Sequence, residues 1–460
     1  MGVRIEKDSF GEREIPEEAY YGVHTLRSME NFDVAGEPLP LEIVYAIVEL
    51  KWACALANCD LGLLPAEKAA AIARACERAL TGEFADQFRV DVFQAGSGTS
   101  TNMNVNEVIG NVACTELGGK PGDRSLVHPN DDVNKGQSTN NVFPSGIKVA
   151  VAEEILIMQE ELRLLISEFH KKEQEFADVI KSGRTHLQDA VPVTLGQEFG
   201  AYAHALEKAS WRVDEARKYL LALGIGGNAI GTGINTKAEF RERIIQHLNR
   251  ITGDHFHVAE NGIEITQFMT DIADVSASLK LLALDLLKIC NDLRLLASGP
   301  NTGIGEIFLP PVEPGSSIMP GKINPSICEA ANMACLQVVG NDAAVGTAAG
   351  LGQLELNTHM PLIGVNVVKS LGILRRCCKM LADKCVSGIE ARRDVCAENF
   401  NISAGLATVL NPLLGYDRVA ALVKESLKTG KNMRQLVLEQ EIMSEADLDT
   451  LLQRSTGPTL

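Results

Sequence analysis

The stretch ITQFMTDIADVSASLKLLALDLLKICNDLRLLASGP, residues 265–300, carries a regular apolar pattern. Its apolar residues follow one another at alternating spacings of three and four positions, which is typical of one face of an α-helix. Gly299 and Pro300 indicate where that helix ends, because proline cannot continue it. The pattern therefore predicts one long helix with a narrow apolar seam, formed by Ile265, Phe268, Ile272, Val275, Leu279, Leu282, Leu286, Ile289, Leu293 and Leu296.

A second seam of the same kind lies earlier in the chain, and residues 198–223 and 237–249 are also helical in pattern. The second seam consists of Ile155, Met158, Leu162, Leu165, Ile166 and Phe169, with Phe176, Val179 and Ile180 continuing the same face up to Gly183. Long helices with narrow seams pack as bundles, often against copies of themselves. Since strand signals are sparse, we expect a mainly α fold with a long central helical bundle. The predicted parts are an N-terminal domain (1–135), the central long-helix bundle (136–392) and a small C-terminal helical domain (393–460).

The composition limits the classes of function. The chain has 460 residues and a formal net charge of −17, which argues against nucleic acid as a partner because phosphates would be repelled. No apolar stretch follows the basic residues at the start, and no stretch reaches the length of a membrane helix. We therefore expect a cytoplasmic protein with no membrane partner.

Cysteine and histidine spacing gives no indication of a metal site. The eleven cysteines form no CxxC pair, so we expect reduced, buried thiols. His255 and His257 share a pattern that could bind metal, but no third ligand lies near them in the sequence. We expect no metal and no cofactor.

Four polar, glycine-punctuated segments interrupt the helical pattern. They are GSGTSTNMNVN (96–106), HPNDDVNKGQSTNN (128–141), SGRTHLQDA (182–190) and GSSIMPGKINP (315–325). Each is rich in neutral hydrogen-bond donors, and any one of them alone is typical of helix caps and loops. Together with Lys322 they suit a small dicarboxylate, whose charge hydroxyl, amide and backbone N–H groups can stabilise.

These segments, in this order, resemble the fumarase/aspartase superfamily of lyases. GSSIMPGKINP matches the GSSxMPxKxN signature of that family without a gap, and the similarity extends over nearly the whole chain. The resemblance implies a homotetramer with a multi-helix core, whose active sites each draw segments from three subunits. It also implies elimination across a C–C bond of a dicarboxylate to release fumarate.

The family's functional residues carry over to matching positions here. The resemblance implies that Ser316 is the base, which needs backbone N–H donors around residues 315–318 and the charge of Lys322 to stabilise its alkoxide. Lys322 and Asn324 would stabilise the dianionic, enolate-like intermediate. The remaining carboxylate contacts are predicted at Thr99, Ser138, Thr139, Thr185 and Ser317.

The leaving group is the point on which the family divides. In fumarase-like members a histidine matching His186, paired with a glutamate matching Glu329, serves the leaving water. In aspartase-like members this position and Asn140 contact the amino group. A second anion site is implied at His128, Asn130 and Asp131, although Ser125 stands where fumarases carry an arginine.

The chain combines features of both branches. AYYGVHTLRSMENF (19–32) and QST (137–139) resemble aspartases, whereas HPNDDVNK, GSGT and His186 resemble fumarases. Asn141 and Asn301 replace an aspartate and an arginine that are usual in the family. We predict an aspartate ammonia-lyase; the alternatives are a fumarate hydratase, a lyase acting on another substituted succinate, and a catalytically silent structural tetramer. The glycine-rich stretch 224–235 follows no predicted strand, so we do not expect it to bind a dinucleotide.

Overall fold

The structure, a computed structural model, describes residues 2–457. It is mainly helical, as predicted, and its strands are short and paired two by two. The helices are α1 (Val23–Asn31), α2 (Leu41–Asp60), α3 (Ala66–Leu80), α4 (Thr99–Glu116), α5 (Thr139–Glu175), α6 (Leu195–Leu220), α7 (Phe240–Thr252), α8 (Gly262–Gln267), α9 (Thr270–Leu296), α10 (Ser326–Ala349), α11 (Met360–Lys384), α12 (Arg393–Ile402), α13 (Gly405–Leu414), α14 (Tyr416–Thr429), α15 (Met433–Glu439) and α16 (Glu445–Ser455). The strands are β1 (Val3–Asp8), β2 (Gly11–Pro16), β3 (Ile180–Thr185), β4 (Gln188–Thr194), β5 (Ala222–Leu223), β6 (His257–Val258), β7 (Ile307–Phe308) and β8 (Glu390–Ala391), of which β5 and β6 pair in parallel and the other pairs are antiparallel.

The chain folds into two compact units, each made of three segments. The first unit comprises the chain up to Met158, Trp211–Leu281 and Leu336–Leu374; the second comprises Gln159–Ser210, Leu282–Cys335 and the chain from Arg375. The borders between the units fall inside the five long helices α5, α6, α9, α10 and α11. The division at residues 135 and 392 that the sequence suggests stays a prediction.

The seam at residues 265–296 forms a helix, but one that begins later than predicted. Gly262–Gln267 is a separate short helix, and the long helix runs over Thr270–Leu296. Phe268 has extended backbone and a side chain that is 52% exposed, whereas Met269 is buried. The periodicity therefore included one residue that does not face the core. The predicted end is correct, because the helix stops at Leu296, before Gly299 and Pro300.

The helix of the second seam is shorter than the sequence predicts. Its helix ends at Glu175, and the chain turns at Phe176 before β3 begins at Ile180. β3 and β4 form an antiparallel hairpin with an irregularity between Ser182 and Arg184. β-Branched residues are frequent in this hairpin and favour strand over helix. The prediction that Val179 and Ile180 lie on a helical face was therefore wrong.

The C-terminal helices of the second unit share one hydrophobic cluster. Its buried members are Phe400, Leu406, Leu410, Val419, Leu422, Met433, Leu436, Val437, Leu448 and Leu452. All of them come from α12–α16, so this part of the chain buries apolar surface of its own. Among the helices of residues 2–457, none has an apolar run long enough to cross a membrane.

Candidate active site

The segment 315–324, which contains the predicted base, is a loop between β7 and α10 in the second unit. The backbone N–H of Gly315 donates to the carbonyl of Lys322 over 2.9 Å, and the Asn324 side-chain amide donates to the carbonyl of Gly315 over 2.8 Å. A Cβ at position 315 would lie 2.4 Å from the Lys322 carbonyl oxygen, so only glycine permits this approach. Asn324 therefore closes the loop at its base.

Within this loop, the Ser316 hydroxyl oxygen accepts two backbone hydrogen bonds. They come from the N–H groups of Ile318, at 3.3 Å, and Met319, at 3.1 Å. Such donors stabilise negative charge on the oxygen that accepts them. Ser317 and Lys322 are exposed, and Lys322 makes no ion pair with another residue of the described range.

Glu329 lies in the first turn of α10, which begins at Ser326, close to the predicted start near Pro325. Its carboxylate is 3.7 Å from the guanidinium of Arg294 in α9, and both side chains are partly exposed. The carboxylate predicted to pair with His186 thus has a cationic neighbour within its own unit.

His186 stands at the tip of the β3–β4 hairpin. Thr185 pairs with Gln188, and the two residues between them, His186 and Leu187, have φ values of 56° and 59°. Two left-handed residues in a two-residue hairpin loop form a type I′ turn, which normally contains Asn or Gly. Thr185 and His186 are exposed, and no residue among 2–457 forms an ion pair with His186. The turn therefore presents these two predicted site residues outward at a strained position.

Arg184, two residues before His186, is fully engaged below the turn. Its guanidinium donates to both carboxylate oxygens of Glu306, which is fully buried and also accepts from Asn399. Lys181, which is buried, lies 3.1 Å from Glu306 and 2.7 Å from Glu198. Burial alone would raise the pKa of Glu306, but the hydrogen bond from Arg184 and the charge of Lys181 lower it below its ordinary value. Arg184 is therefore a structural cation, and no motif in the sequence indicates its partner Glu306.

In the first unit, Thr99 and Thr139 are the first residues of α4 and α5. Gly98 precedes Thr99 with φ 80°, and a Cβ there would lie 2.2 Å from the ring of Phe143 in α5. This close packing brings the N-termini of α4 and α5 together. Helix N-termini carry unpaired N–H groups and partial positive charge, which suits carboxylate binding.

Three residues at the start of α5 have different roles. Ser138 is half-buried, and its hydroxyl is 3.4 Å from the backbone N–H of Asn140. The Asn140 amide donates to the Ala229 carbonyl in the glycine-rich stretch over 2.8 Å. Asn141 is buried and donates to the Thr266 hydroxyl over 2.8 Å, so it connects α5 to α8.

Sequence reasoning missed Lys51, a fully buried residue of α2. Its ammonium donates to the side-chain oxygens of Asn102, Asn134 and Gln137, at 2.7, 2.8 and 2.8 Å. Asn102 in turn donates to the Thr139 hydroxyl oxygen over 3.0 Å. The available signal was a lysine near the middle of a largely apolar helix.

At the predicted second anion site, His128 is used locally. Its Nδ1 accepts the backbone N–H groups of Asn130 and Asp131, at 3.2 and 3.1 Å. Arg124, the cation nearest to it in sequence, is paired with Glu6 at 3.2 Å. His128 therefore caps the turn that follows it.

Over residues 2–457, no three His, Cys, Asp or Glu side chains are arranged so that they could hold a metal ion.

Comparison with known proteins identifies the family. The lyase family model matches residues 11–340, and the model for the fumarase C C-terminus matches residues 406–455. The aspartate ammonia-lyase of Helicobacter pylori is 44% identical, over 98% of this chain and 96% of its own. The class II fumarate hydratase of Thermosynechococcus vestitus is also 44% identical, over 97% of this chain and 96% of its own. A crystal structure of a Brucella melitensis protein titled fumarate lyase:delta crystallin, bound to cobalt, superposes with a TM-score of 0.96 at 44% identity, covering 99% of this chain and 100% of that one. With its fold, its loop signature and these relatives in agreement, this chain belongs to the fumarase/aspartase superfamily of lyases.

Proposed function

We propose that this protein is an aspartate ammonia-lyase, which eliminates ammonia from L-aspartate to give fumarate. The similarity to aspartate ammonia-lyases over nearly the whole chain supports this proposal. The observation that carries the choice of ammonia as the leaving group is the orientation of Asn140.

Asn140 presents an acceptor for an amino group. The Ala229 carbonyl can only accept a hydrogen bond, so the Asn140 atom that faces it must be the amide nitrogen. The Asn140 carbonyl oxygen is then left to accept from another group. An ammonium leaving group has only donors to offer, and an oriented carbonyl oxygen complements it.

Ser316 is proposed as the base that takes the proton from the carbon next to the one bearing the amino group. An ordinary serine is a weak base, and the N–H groups of Ile318 and Met319 would stabilise its alkoxide. Lys322 and Asn324 would stabilise the charge that develops on the substrate carboxylate when the proton leaves. Because this charge is absent from the ground state, these contacts would favour the transition state selectively.

The two substrate carboxylates require a set of donors, which we propose to be Thr99, Ser138, Thr139, Thr185 and Ser317. Thr99 and Thr139 support this proposal because they begin two adjacent helices, whose N-termini favour anions. His186 and Glu329 are proposed to act near the leaving group. The proposed assembly is a homotetramer whose active sites each combine segments of three subunits, and the cytoplasmic location stays a prediction.

One reaction mixture tests the proposal. The purified protein is incubated with fumarate and ammonium in water, and the products are identified by proton NMR. Aspartate is the expected product. Malate as the sole product would overturn the choice of ammonia in favour of the hydratase alternative, which the Thermosynechococcus vestitus relative and His186 support. Unchanged fumarate would argue for another substituted succinate or for a silent tetramer.

A further inference from the structure

Lys51 is a buried cation, and in the part of the chain that the structure describes no carboxylate is among its hydrogen-bond partners. Its side chain is fully buried, and its three hydrogen bonds go to the neutral amides of Asn102, Asn134 and Gln137. Burial lowers the pKa of Lys51 to about 7, while three accepting oxygens favour the ammonium form. Burying an ammonium that lacks a counter-charge is costly, and an apolar side chain would fill the same space more favourably. The position therefore calls for a role beyond packing.

An ammonium can only donate, so it fixes the orientation of every amide around it. Each of the three amides turns its oxygen toward Lys51 and its nitrogen away. The Gln137 nitrogen then donates to the Val133 carbonyl over 2.9 Å, and the Asn134 nitrogen to the Gln137 carbonyl over 3.3 Å. Both bonds are local to the turn at residues 133–137, before Ser138.

The third amide, that of Asn102, orients the hydroxyl of Thr139, which is a predicted substrate contact. The Asn102 nitrogen donates to the Thr139 hydroxyl oxygen over 3.0 Å, so that oxygen is an acceptor in this bond. The single hydroxyl hydrogen of Thr139 is consequently free to be donated elsewhere. Thr139 is half-buried at the first position of α5, where the helix N-terminus favours an anion.

We propose that Lys51 is a positioning residue that makes the Thr139 hydroxyl a hydrogen-bond donor to a substrate carboxylate. It does so by fixing the donor direction of two successive hydrogen bonds, from Lys51 to Asn102 and from Asn102 to Thr139. This inference rests on the proposed function, because it assumes that Thr139 contacts a dicarboxylate. The anionic substrate would also supply part of the counter-charge that Lys51 lacks among its partners within residues 2–457. These hydrogen bonds thus select a ligand group that accepts a hydrogen bond from Thr139, as a carboxylate does.

The test is the variant Asn102→Asp, which retains the size of Asn102 and gives Lys51 a carboxylate partner. Aspartate has no N–H to donate, so Thr139 would turn its hydrogen toward residue 102 and its lone pairs toward the substrate. Loss of one hydrogen bond to a charged group predicts a rise of about 10- to 100-fold in KM for L-aspartate, with a smaller change in kcat. The matched control is Asn134→Asp, which adds the same carboxylate beside Lys51, gives up only the 3.3 Å bond to the Gln137 carbonyl and leaves the Asn102 amide on Thr139. A rise of less than about threefold is expected for this control.

An unchanged KM in Asn102→Asp would overturn the proposal, and so would equal rises in KM in the two variants. Either result would mean that substrate binding does not depend on the donor direction of the hydrogen bonds from Lys51 through Asn102 to Thr139. In a Thr139→Val background, Asn102→Asp should add almost nothing, and an additive effect would also contradict the proposal. Calorimetric binding of succinate to wild type and both variants gives the same comparison without turnover. If wild type releases no fumarate from aspartate, the proposed function fails, while weaker succinate binding in Asn102→Asp than in Asn134→Asp still supports this inference.

Discussion

The Arg184 guanidinium donates two hydrogen bonds to the Glu306 carboxylate, at 2.8 and 3.0 Å, although the residues are 122 positions apart. Glu306 is fully buried, and the pair lies directly below the hairpin tip that carries His186. Breaking a buried ion pair leaves an uncompensated charge, which costs about 3–5 kcal/mol. We therefore expect Glu306→Gln to lower the thermal unfolding midpoint strongly.

The control for this prediction is Glu215→Gln, since Glu215 pairs with Lys218 on the surface. Exposed pairs contribute about 0–1 kcal/mol, so the midpoint should hardly change. Similar midpoints for Glu306→Gln and Glu215→Gln, measured by calorimetry, would show that the buried pair does not stabilise the second unit.

Ser316 can be tested by removing its hydroxyl. Ser316→Ala should reduce kcat for fumarate release by about 10³-fold or more, because the proposed base is lost and the N–H groups of Ile318 and Met319 have no oxygen to stabilise. Ser317→Ala, on the exposed neighbour, should mainly raise KM. Absorbance of fumarate measures both, and substantial turnover by Ser316→Ala would exclude Ser316 as the base.

Asn140 should matter for the leaving group. Asn140→Ala removes the oriented carbonyl oxygen, and a charge-assisted hydrogen bond of about 1.5–3 kcal/mol predicts a loss of about 10- to 100-fold in kcat/KM for L-aspartate. In the reverse direction, the same variant should raise the KM for ammonium more than that for fumarate. Equal changes for the two co-substrates would place Asn140 away from the amino group.

The raised pKa values of Glu49 and Glu153 predict how the stability of the fold depends on pH. Burial, then the charge of Glu153, raises the pKa of Glu49 from 4.5 to about 8; burial, then the charge of Asp254, raises that of Glu153 to about 7. The folded state therefore binds protons that the unfolded chain has released, and stability falls as pH rises from about 5 to about 8. Glu49→Gln cannot ionise, so its unfolding midpoint should exceed that of wild type above pH 8.

The matched control is Glu42→Gln, an exposed change on the same helix. It should leave the pH dependence of the midpoint as in wild type. Parallel pH profiles for Glu49→Gln and wild type would contradict the assignment of this dependence to the buried carboxyls.

At the tip of the β3–β4 hairpin, one substitution is expected to stabilise the protein. Leu187 is 69% exposed and has φ 59°, a conformation that costs an L-residue about 1–2 kcal/mol and glycine almost nothing. Leu187→Gly should therefore raise the stability of the hairpin by about 1 kcal/mol. Val191→Gly, at an exposed strand position of β4, should instead lower it. Calorimetry measures the unfolding midpoint of both variants. A lower midpoint for Leu187→Gly than for wild type would mean that contacts of the leucine side chain outweigh the strain of its backbone.

Much of the helical fold could be predicted because apolar spacing reports directly which residues face a core. The end of α9 at Leu296 and the start of α10 at Ser326 followed from local proline and glycine signals. The break in the helix at Phe268 could not be predicted in this way, because an exposed phenylalanine continues the apolar spacing as well as a buried one. The β3–β4 hairpin was missed because its turn contains His186 and Leu187 in place of Asn and Gly.

The candidate site was predicted from motifs, and the parts that support it were not. Partners such as Lys51 and Asn102, or Arg184 and Glu306, lie 51 and 122 positions apart, and only the fold brings them into contact. The sequence shows Asn141 only as the replacement of an aspartate usual in the family, whereas the structure shows it buried and bonded to Thr266. Sequence spacing carries no information about such distant pairs.

The proposed substrate of this lyase is an amino-substituted dicarboxylate. The most direct measurement is the initial rate of fumarate release from L-aspartate and from L-malate, followed by absorbance with the same enzyme preparation at one pH. We expect rapid release from aspartate and little from malate, because the Asn140 oxygen is proposed to accept a hydrogen bond from the amino group. Rapid release from malate with none from aspartate would contradict it.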